Sequence, residues 1–98
     1  MPQAKELFPL GQCEATHGAM GVLEDNCTFP IVYLKRHQAG DFGDVSQNEQ
    51  IINFAAVNSG GIIVSRYRLP DGQTIWIRTA GDRTKTFVLH ANDIWRNQ

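Results

Sequence analysis

Cysteine is scarce in this chain, and long apolar runs are missing. Only Cys13 and Cys27 are present, far apart and outside a C-x-x-C pattern. We expect two reduced thiols, with a disulfide or a metal pair as the alternative. No apolar run reaches the roughly 18 residues of a transmembrane helix, and residues 1–10 lack the apolar stretch of a secretory signal. We therefore expect a cytoplasmic protein that makes no membrane contact.

Charge is also sparse, and it is unevenly distributed. The net charge of −1 combines −4 in residues 1–49 with +3 in residues 50–98. Neither half contains a run of Lys and Arg, which argues against a dedicated nucleic-acid binder. The 98 residues, 42% of them hydrophobic, are enough for one domain with one core. We take 1–98 as a single domain in which 1–9 form a loose lead-in.

Motifs typical of enzymes are missing as well. The sequence contains no nucleophile elbow, no P-loop and no dinucleotide fingerprint. We therefore predict neither a cofactor nor a metal, and we favour a binding protein over an enzyme.

The most distinctive segment is 37–44, which contains two glycines, two aspartates, a histidine and an aromatic residue. Glycine costs about 1 kcal/mol in a helix relative to alanine, so this segment predicts a junction between two elements. His37, Asp41 and Asp44 could hold a divalent metal or share acid–base chemistry. In the structural alternative, which we favour, the aspartates cap backbone donors and His37 ends the preceding helix, where a cation is stabilised.

Helices are predicted in the first half of the chain, after a short strand at 10–15. Thr16 is a typical N-cap for a helix that reaches about Leu23, and Pro30 lies in the first turn of a second helix. The inner face of this second helix is predicted to hold Ile31, Leu34 and His37.

A third helix is the most clearly marked. The S-x-x-E capping box at 46–49 opens it, and the segment 58–61 with its two glycines closes it. One face of this helix is predicted to hold Ile51, Phe54 or Ala55, and Asn58.

The second half of the chain predicts an antiparallel meander with strands at 61–69, 73–79 and 84–90. A three-residue loop at 70–72 places Tyr67 opposite Ile75, whereas a two-residue loop would mix the two faces. A five-residue loop at 80–84 completes the meander. The apolar face then holds Ile63, Tyr67, Leu69, Ile75, Ile77, Phe87 and Leu89. The predicted fold is α+β, with three short helices packed on one face of a three- to four-stranded, mainly antiparallel sheet.

The opposite sheet face combines arginine with tryptophan. Arg66, Arg68 and Arg78 surround Trp76, a combination that is enriched at protein interfaces and also suits phosphates and carboxylates. In the alternative, the arginines simply cover Trp76 and keep the sheet in solution. A protein partner ranks above nucleic acid because the chain is close to neutral.

The order of these motifs resembles a family of small bacterial proteins labelled plasmid-related proteins, which occur on mobile genetic elements. The resemblance covers residues 12–94. Its motifs are H-x-x-G-D-[aromatic]-G-D at 37–44, N-x-x-A at 53–56, G-x-I-x-S-x-Y at 61–67, G-x-x-I-W-I-x-T at 72–79 and D-R-x-x-T at 82–86. Where the family has Thr-Glu-Ala-Asp-Arg, residues 79–83 lack the glutamate, which favours binding over catalysis.

The resemblance implies an accessory protein of a mobile element that acts by binding. In its most concrete form it inhibits a host defence system, as an anti-CRISPR or anti-restriction protein, and its partner is a host protein or ribonucleoprotein complex. Direct binding of nucleic acid is the less favoured mode, and the oligomeric state is open. The expected binding residues are Arg66, Arg68, Trp76 and Arg78, with Asp41, Phe42 and Asp44 as a second edge.

Two other functions remain open. Helices followed by an arginine-bearing meander also resemble the ribonuclease toxins of toxin–antitoxin pairs, although those toxins are usually more basic. Arg66, Arg78 and Arg83 would then stabilise the phosphorane, and His90 would donate a proton. In the alternative to this catalytic role, Arg83 has a structural role and pairs with Asp82 within their turn. The third function is a small-ligand-binding protein that uses the junction at 37–44.

Overall fold

The computed structural model describes residues 5–95, which form three helices, four strands and a short 3-10 helix. The elements are β1 (Gln12–Ala15), α1 (His17–Asp25), α2 (Pro30–Gln38), α3 (Gln47–Ser59), β2 (Ile63–Arg68), β3 (Thr74–Thr79), β4 (Lys85–His90) and the 3-10 helix (Ala91–Trp95). The sheet order is β1-β4-β3-β2. Strand β1 runs parallel to β4, and the other two pairings are antiparallel. The predicted α+β fold is therefore confirmed.

The predicted helix starts and the predicted end of α3 agree with the structure. The Thr16 hydroxyl accepts a hydrogen bond from the Ala19 amide at 3.0 Å at the start of α1. Ser46 and Glu49 form a complete capping box at the start of α3. Gly60 ends α3 with φ of 85°, a left-handed conformation that suits glycine. No helix in residues 5–95 is long and apolar enough to cross a membrane.

The predicted inner faces of α2 and α3 need correction. Ile31 is 53% exposed, and the buried residues of α2 are Tyr33, Leu34 and His37. In α3, the buried residues are Asn53 and Ala56. The residues predicted to share one face of α3 are instead exposed, namely Ile51, Phe54, Ala55 and Asn58. The reason is that the orientation of α3 follows a hydrogen-bonding side chain, Asn53, rather than its most apolar residues.

The first hairpin has the predicted register. Tyr67 lies opposite Ile75 and Arg66 opposite Trp76. The Leu69 amide donates to the Gln73 carbonyl at 2.7 Å, which closes the three-residue loop 70–72. The inward side chains of this hairpin are therefore those that the alternation predicts.

The second hairpin differs from the prediction by one residue. The Ala80 amide donates to the Lys85 carbonyl, so the loop has four residues rather than five. Thr86 and Val88 consequently point into the core, and Phe87 and Leu89 lie on the opposite face. Since side chains alternate along a strand, this change of one residue exchanges the two faces of β4.

The core lies between the helices and one face of the sheet, which we call the inner face. Residues from α1 and α2 pack there against inward side chains of β2, β3 and β4. The lead-in before β1 contributes too, because Phe8 is buried and the Leu7 amide donates to the Gln38 carbonyl at 2.8 Å. Leu7 and Phe8 of the predicted lead-in are therefore docked on the core, and residues 1–4 lie outside the described residues.

The free edge of β2 is covered by the segments around it. The Arg66 amide donates to the Phe42 carbonyl at 3.1 Å, and the Arg66 carbonyl accepts from the Asp44 amide at 2.7 Å. The Asn53 side chain bonds both backbone groups of Val64. Covering an edge in this way prevents unwanted strand pairing.

Gly43 is the position where this edge contact demands glycine. Its φ is 73°, and an added Cβ would overlap the Arg66 carbonyl and lie 2.7 Å from the Tyr67 ring. We expect Gly43→Ala to lower the free energy of unfolding by at least about 3 kcal/mol. Gly21→Ala is the matched control, because Gly21 lies within α1 and an added Cβ meets nothing within 4 Å.

Urea denaturation of both variants checks this expectation. Gly21→Ala should be neutral or more stable by up to about 1 kcal/mol, since alanine favours the helix. Equal stability of the Gly43→Ala variant and the unmodified chain would contradict the edge contact described here.

Candidate functional site

The sheet face opposite the core carries the main candidate site, which we call the outer face. Helices α1 and α2 pack on the inner face. The outer side chains of β2, β3 and β4 remain partly or fully exposed. They are Val64, Arg66, Arg68, Thr74, Trp76, Arg78, Lys85, Phe87 and Leu89.

The centre of the outer face is apolar. Trp76 on β3 lies directly opposite Leu89 on β4, and Arg78 lies opposite Phe87. The sequence predicts Phe87 and Leu89 on the core side of β4, so it misses them as residues of the outer face. The register of β4 is instead set by Thr86, which must point inward to reach its hydrogen-bond partners. The alternation of apolar residues along β4 does not reveal these partners.

Arg66 covers part of this centre. Its guanidinium lies 5.2 Å from the Trp76 ring centroid, where a cation–π attraction operates. The same group forms an ion pair with Glu49 at 2.8 Å and donates to the Asp44 carbonyl at 3.1 Å. Hydrogen bonds from Ser46, followed by the contact with Arg66, lower the pKa of Glu49. Arg66 is thus fixed in place and covers Trp76, as the structural alternative predicts.

Arg68 and Arg78 differ from Arg66 in their exposure and in their contacts. Both are exposed, and neither makes a side-chain hydrogen bond or ion pair within residues 5–95. Arg68 pairs with Thr74 and Arg78 with Val64 in the ladder, so the two arginines lie on either side of Trp76. Two guanidinium groups with unused donors therefore flank an apolar centre.

The second edge predicted from the sequence is built into the scaffold. Phe42 is only 2% exposed and packs in the core. The Asp41 carboxylate bonds Arg36 at 2.7 Å, which is the main reason that its pKa is lowered. The Asp44 carboxylate accepts from the Arg68 amide at 3.2 Å. Of the seven predicted binding residues, the outer face brings together Arg66, Arg68, Trp76 and Arg78.

Comparison of the chain with known protein families, curated proteins and solved structures finds no match.

His37 is the centre of a buried chain of polar side chains. It is fully buried, and its Nδ1 lies 2.5 Å from the Ser65 hydroxyl. Its Nε2 lies 2.8 Å from the Thr79 hydroxyl, which lies 2.8 Å from that of Thr86. The Thr86 hydroxyl donates to the Leu10 carbonyl at 2.6 Å. Each polar group in this chain therefore has a partner.

The direction of donation follows from counting protons. Because Thr86 gives its proton to Leu10, it must accept from Thr79, which in turn must accept from His37. His37 therefore carries its proton on Nε2, and its Nδ1 accepts from Ser65. This bond pattern fits a neutral imidazole.

The surroundings of His37 also favour the neutral form. Burial, with a smaller contribution from the Arg83 charge, lowers the pKa of His37 to about 3. His37 lies in the last turn of α2, as expected, but the expectation that it is a cation there is wrong. The described residues contain no group of three or more His, Cys, Asp or Glu side chains placed to hold a metal ion. Cys13 and Cys27 are free and exposed.

The residues of the toxin alternative are not brought together. Arg66 and Arg78 lie on the outer face, whereas His90 pairs with Ile75, whose side chain is buried on the inner face. Arg83 donates at 2.7 Å to the carbonyls of both Ala56 and Gly61, so it holds the end of α3 against the start of β2.

The turn prediction for Arg83 also needs correction. Asp82 bonds the amide and hydroxyl of Thr84 rather than pairing with Arg83.

The neutral state of His37 predicts a pH dependence of stability. The folded pKa lies below the ordinary value of 6.5, so the unfolded chain binds a proton more readily. The free energy of unfolding should therefore rise with pH between about 3 and 6.5, by up to about 1.4 kcal/mol per pH unit, and then level off.

Unfolding of the unmodified chain, His37→Gln and His17→Gln at pH 4.5, 5.5 and 6.5 checks this expectation. Glutamine offers an NH₂ donor group and a carbonyl acceptor but does not titrate, so His37→Gln should lose the part of the slope that His37 contributes. His17 is exposed, and His17→Gln should retain the slope. An unchanged slope in the His37→Gln variant would show that His37 is not responsible.

Proposed function

We propose that this chain binds a protein partner through the outer face and acts as an accessory protein of a mobile genetic element. In its most concrete form, it inhibits a host defence system by occupying a surface of one of its protein components. The observation that carries the proposal is the arrangement of Arg68 and Arg78, which have no side-chain partner in the described part of the chain, around a partly exposed apolar centre.

The composition of the outer face is that of an interface. Protein interfaces bury an apolar core enriched in Trp, Phe and Arg, with a polar rim around it. Trp76, Phe87 and Leu89 supply such a core here, and Arg68 and Arg78 supply the rim. Because these arginines have no side-chain partner among residues 5–95, the complementary surface should present carboxylates.

Nucleic acid fits the same face less well. Single-stranded binders stack bases on exposed aromatic rings within a strongly basic groove. The Trp76 ring already has the Arg66 guanidinium over it, and Lys85 faces Glu14 at 3.8 Å. The net charge of the whole chain is −1. These features favour a protein over a phosphate backbone.

The biological setting comes from the motif resemblance stated above. The dispersal of the toxin residues, and the structural roles of Asp41, Phe42 and Asp44, remove support from the other two functions. The counter-defence function is therefore the one we carry forward.

Trp76→Ala/Arg78→Ala should abolish retention of a defence-complex subunit when the tagged chain is incubated with host lysate. Expression of the unmodified chain should raise plasmid transformation of a host with an active defence system, and the double variant should not. Because neither residue belongs to the core, we expect thermal unfolding to shift by no more than about 5 °C.

Lys35→Ala is the matched control, since Lys35 is exposed on α2, away from the sheet. It should retain both binding and the transformation effect. A large loss of stability in the double variant would assign Trp76 and Arg78 a structural role. Unchanged transformation with the unmodified chain would reject the counter-defence function.

A further inference from the structure

Carboxylates lie at both edges of the outer face, and its arginines lie between them. Glu14 on β1 pairs in the ladder with Phe87, so it belongs to one edge of this face. Its carboxylate lies 3.8 Å from the Lys85 ammonium group. At the other edge, beside β2, the Glu49 carboxylate lies 2.8 Å from the Arg66 guanidinium. Each edge therefore neutralises one cation of the outer face.

A third carboxylate strengthens the edge beside β2. Asp44 accepts a hydrogen bond from the Arg68 amide at 3.2 Å, which places its negative charge against the strand that carries two of the arginines. The side chains of Glu14 and Glu49 are 47% and 40% exposed, so their charges also face the solvent. A ligand that reaches the arginines across either edge of the sheet passes a carboxylate.

This arrangement affects a nucleic acid and a protein differently. A nucleic acid carries a phosphate at every nucleotide, so a strand laid across the sheet brings phosphates close to Glu14 and Glu49. A protein surface carries separate carboxylates, which can pair with Arg68 and Arg78 while uncharged residues face the edges. Because like charges brought together at an interface are unfavourable, the two edges disfavour a continuous polyanion and tolerate a protein.

The centre of the outer face, taken without its edges, has the composition of a single-strand binding site. Such sites combine cations with aromatic rings on which bases stack. Trp76 supplies a ring, and the Arg66 guanidinium lies 5.2 Å from its centroid. Hydrogen bonds to the Glu49 carboxylate and the Asp44 carbonyl hold Arg66 there. Loss of the Glu49 charge would therefore release Arg66 toward a phosphate and open the ring to a base.

We propose that Glu14 and Glu49 are specificity-determining residues, which exclude single-stranded nucleic acid from the outer face and restrict this face to a protein partner. This assignment rests on the proposed function, in which the outer face binds a protein. The charge of Glu49 is separable from its role in the helix cap. Glutamine at this position also accepts the hydrogen bond from the Ser46 amide, so Glu14→Gln/Glu49→Gln removes two charges and keeps the capping box.

Fluorescence anisotropy with a labelled oligothymidylate of about 15 nucleotides tests this assignment. The unmodified chain should bind the probe weakly, and Glu14→Gln/Glu49→Gln should bind it at least about tenfold more tightly at about 50 mM salt. Lys85 and Arg66 each become available to a phosphate in this variant. The gain should therefore shrink about sevenfold between about 50 mM and about 200 mM salt.

Glu24→Gln/Asp25→Asn is the matched control. It changes the net charge by the same amount at two exposed residues of α1, which packs on the inner face, and it should bind the probe as weakly as the unmodified chain. Addition of Trp76→Ala to Glu14→Gln/Glu49→Gln locates the gain on the outer face. Loss of base stacking should then weaken binding about fivefold or more.

Two results would overturn the assignment. Equal gains in the two double variants would show an effect of net charge alone. Equal binding of the probe by the unmodified chain and by Glu14→Gln/Glu49→Gln would show that the edge carboxylates exclude nothing. The proposed function is tested by retention of a defence-complex subunit, so its failure is distinguishable from a missing gain in oligonucleotide binding.

Discussion

The chain of hydrogen bonds through His37 is the interaction on which the rest of the fold depends. It joins Ser65 of β2, His37 of α2, Thr79 of β3 and Thr86 of β4, and it ends on the Leu10 carbonyl before β1. A buried polar group without a partner costs about 1–3 kcal/mol, so each member of this chain constrains the next. The network thereby fixes how the helix layer lies on the sheet.

The same network determines the composition of the outer face. Thr86 must point inward to reach Thr79 and Leu10, and this orientation turns Phe87 and Leu89 outward beside Trp76. A polar constraint inside the molecule thus produces an apolar centre on its surface. A β4 register with Phe87 and Leu89 inside would bury more apolar surface but would leave Thr79 without one of its partners.

Local sequence signals predict the helices, the strands and the first hairpin. The orientation of α3 and the register of β4 depend instead on contacts between residues distant in sequence. The capping box, the glycine that ends α3 and the three-residue hairpin loop are each encoded within a few residues. The orientation of α3 depends on Asn53 meeting Val64, and the register of β4 depends on Thr86 meeting Leu10. Hydrophobic alternation does not reveal such polar pairings, and for this reason the sequence alone places Ile51 and Phe87 on the wrong side.

The residues of the motifs that resemble a known family fall into two groups, those that build the scaffold and those that lie on the outer face. Most of them build the scaffold: His37, Ser65, Thr79 and Thr86 form the buried network, Gly43 and Asn53 cover the β2 edge, and Arg83 holds the end of α3. Trp76 belongs to the same motifs but lies on the outer face, where its ring contacts Arg66. Trp76 is only partly buried there and presents apolar surface on the open face of the sheet. Under the function proposed above, Trp76 is the residue that a protein partner would cover.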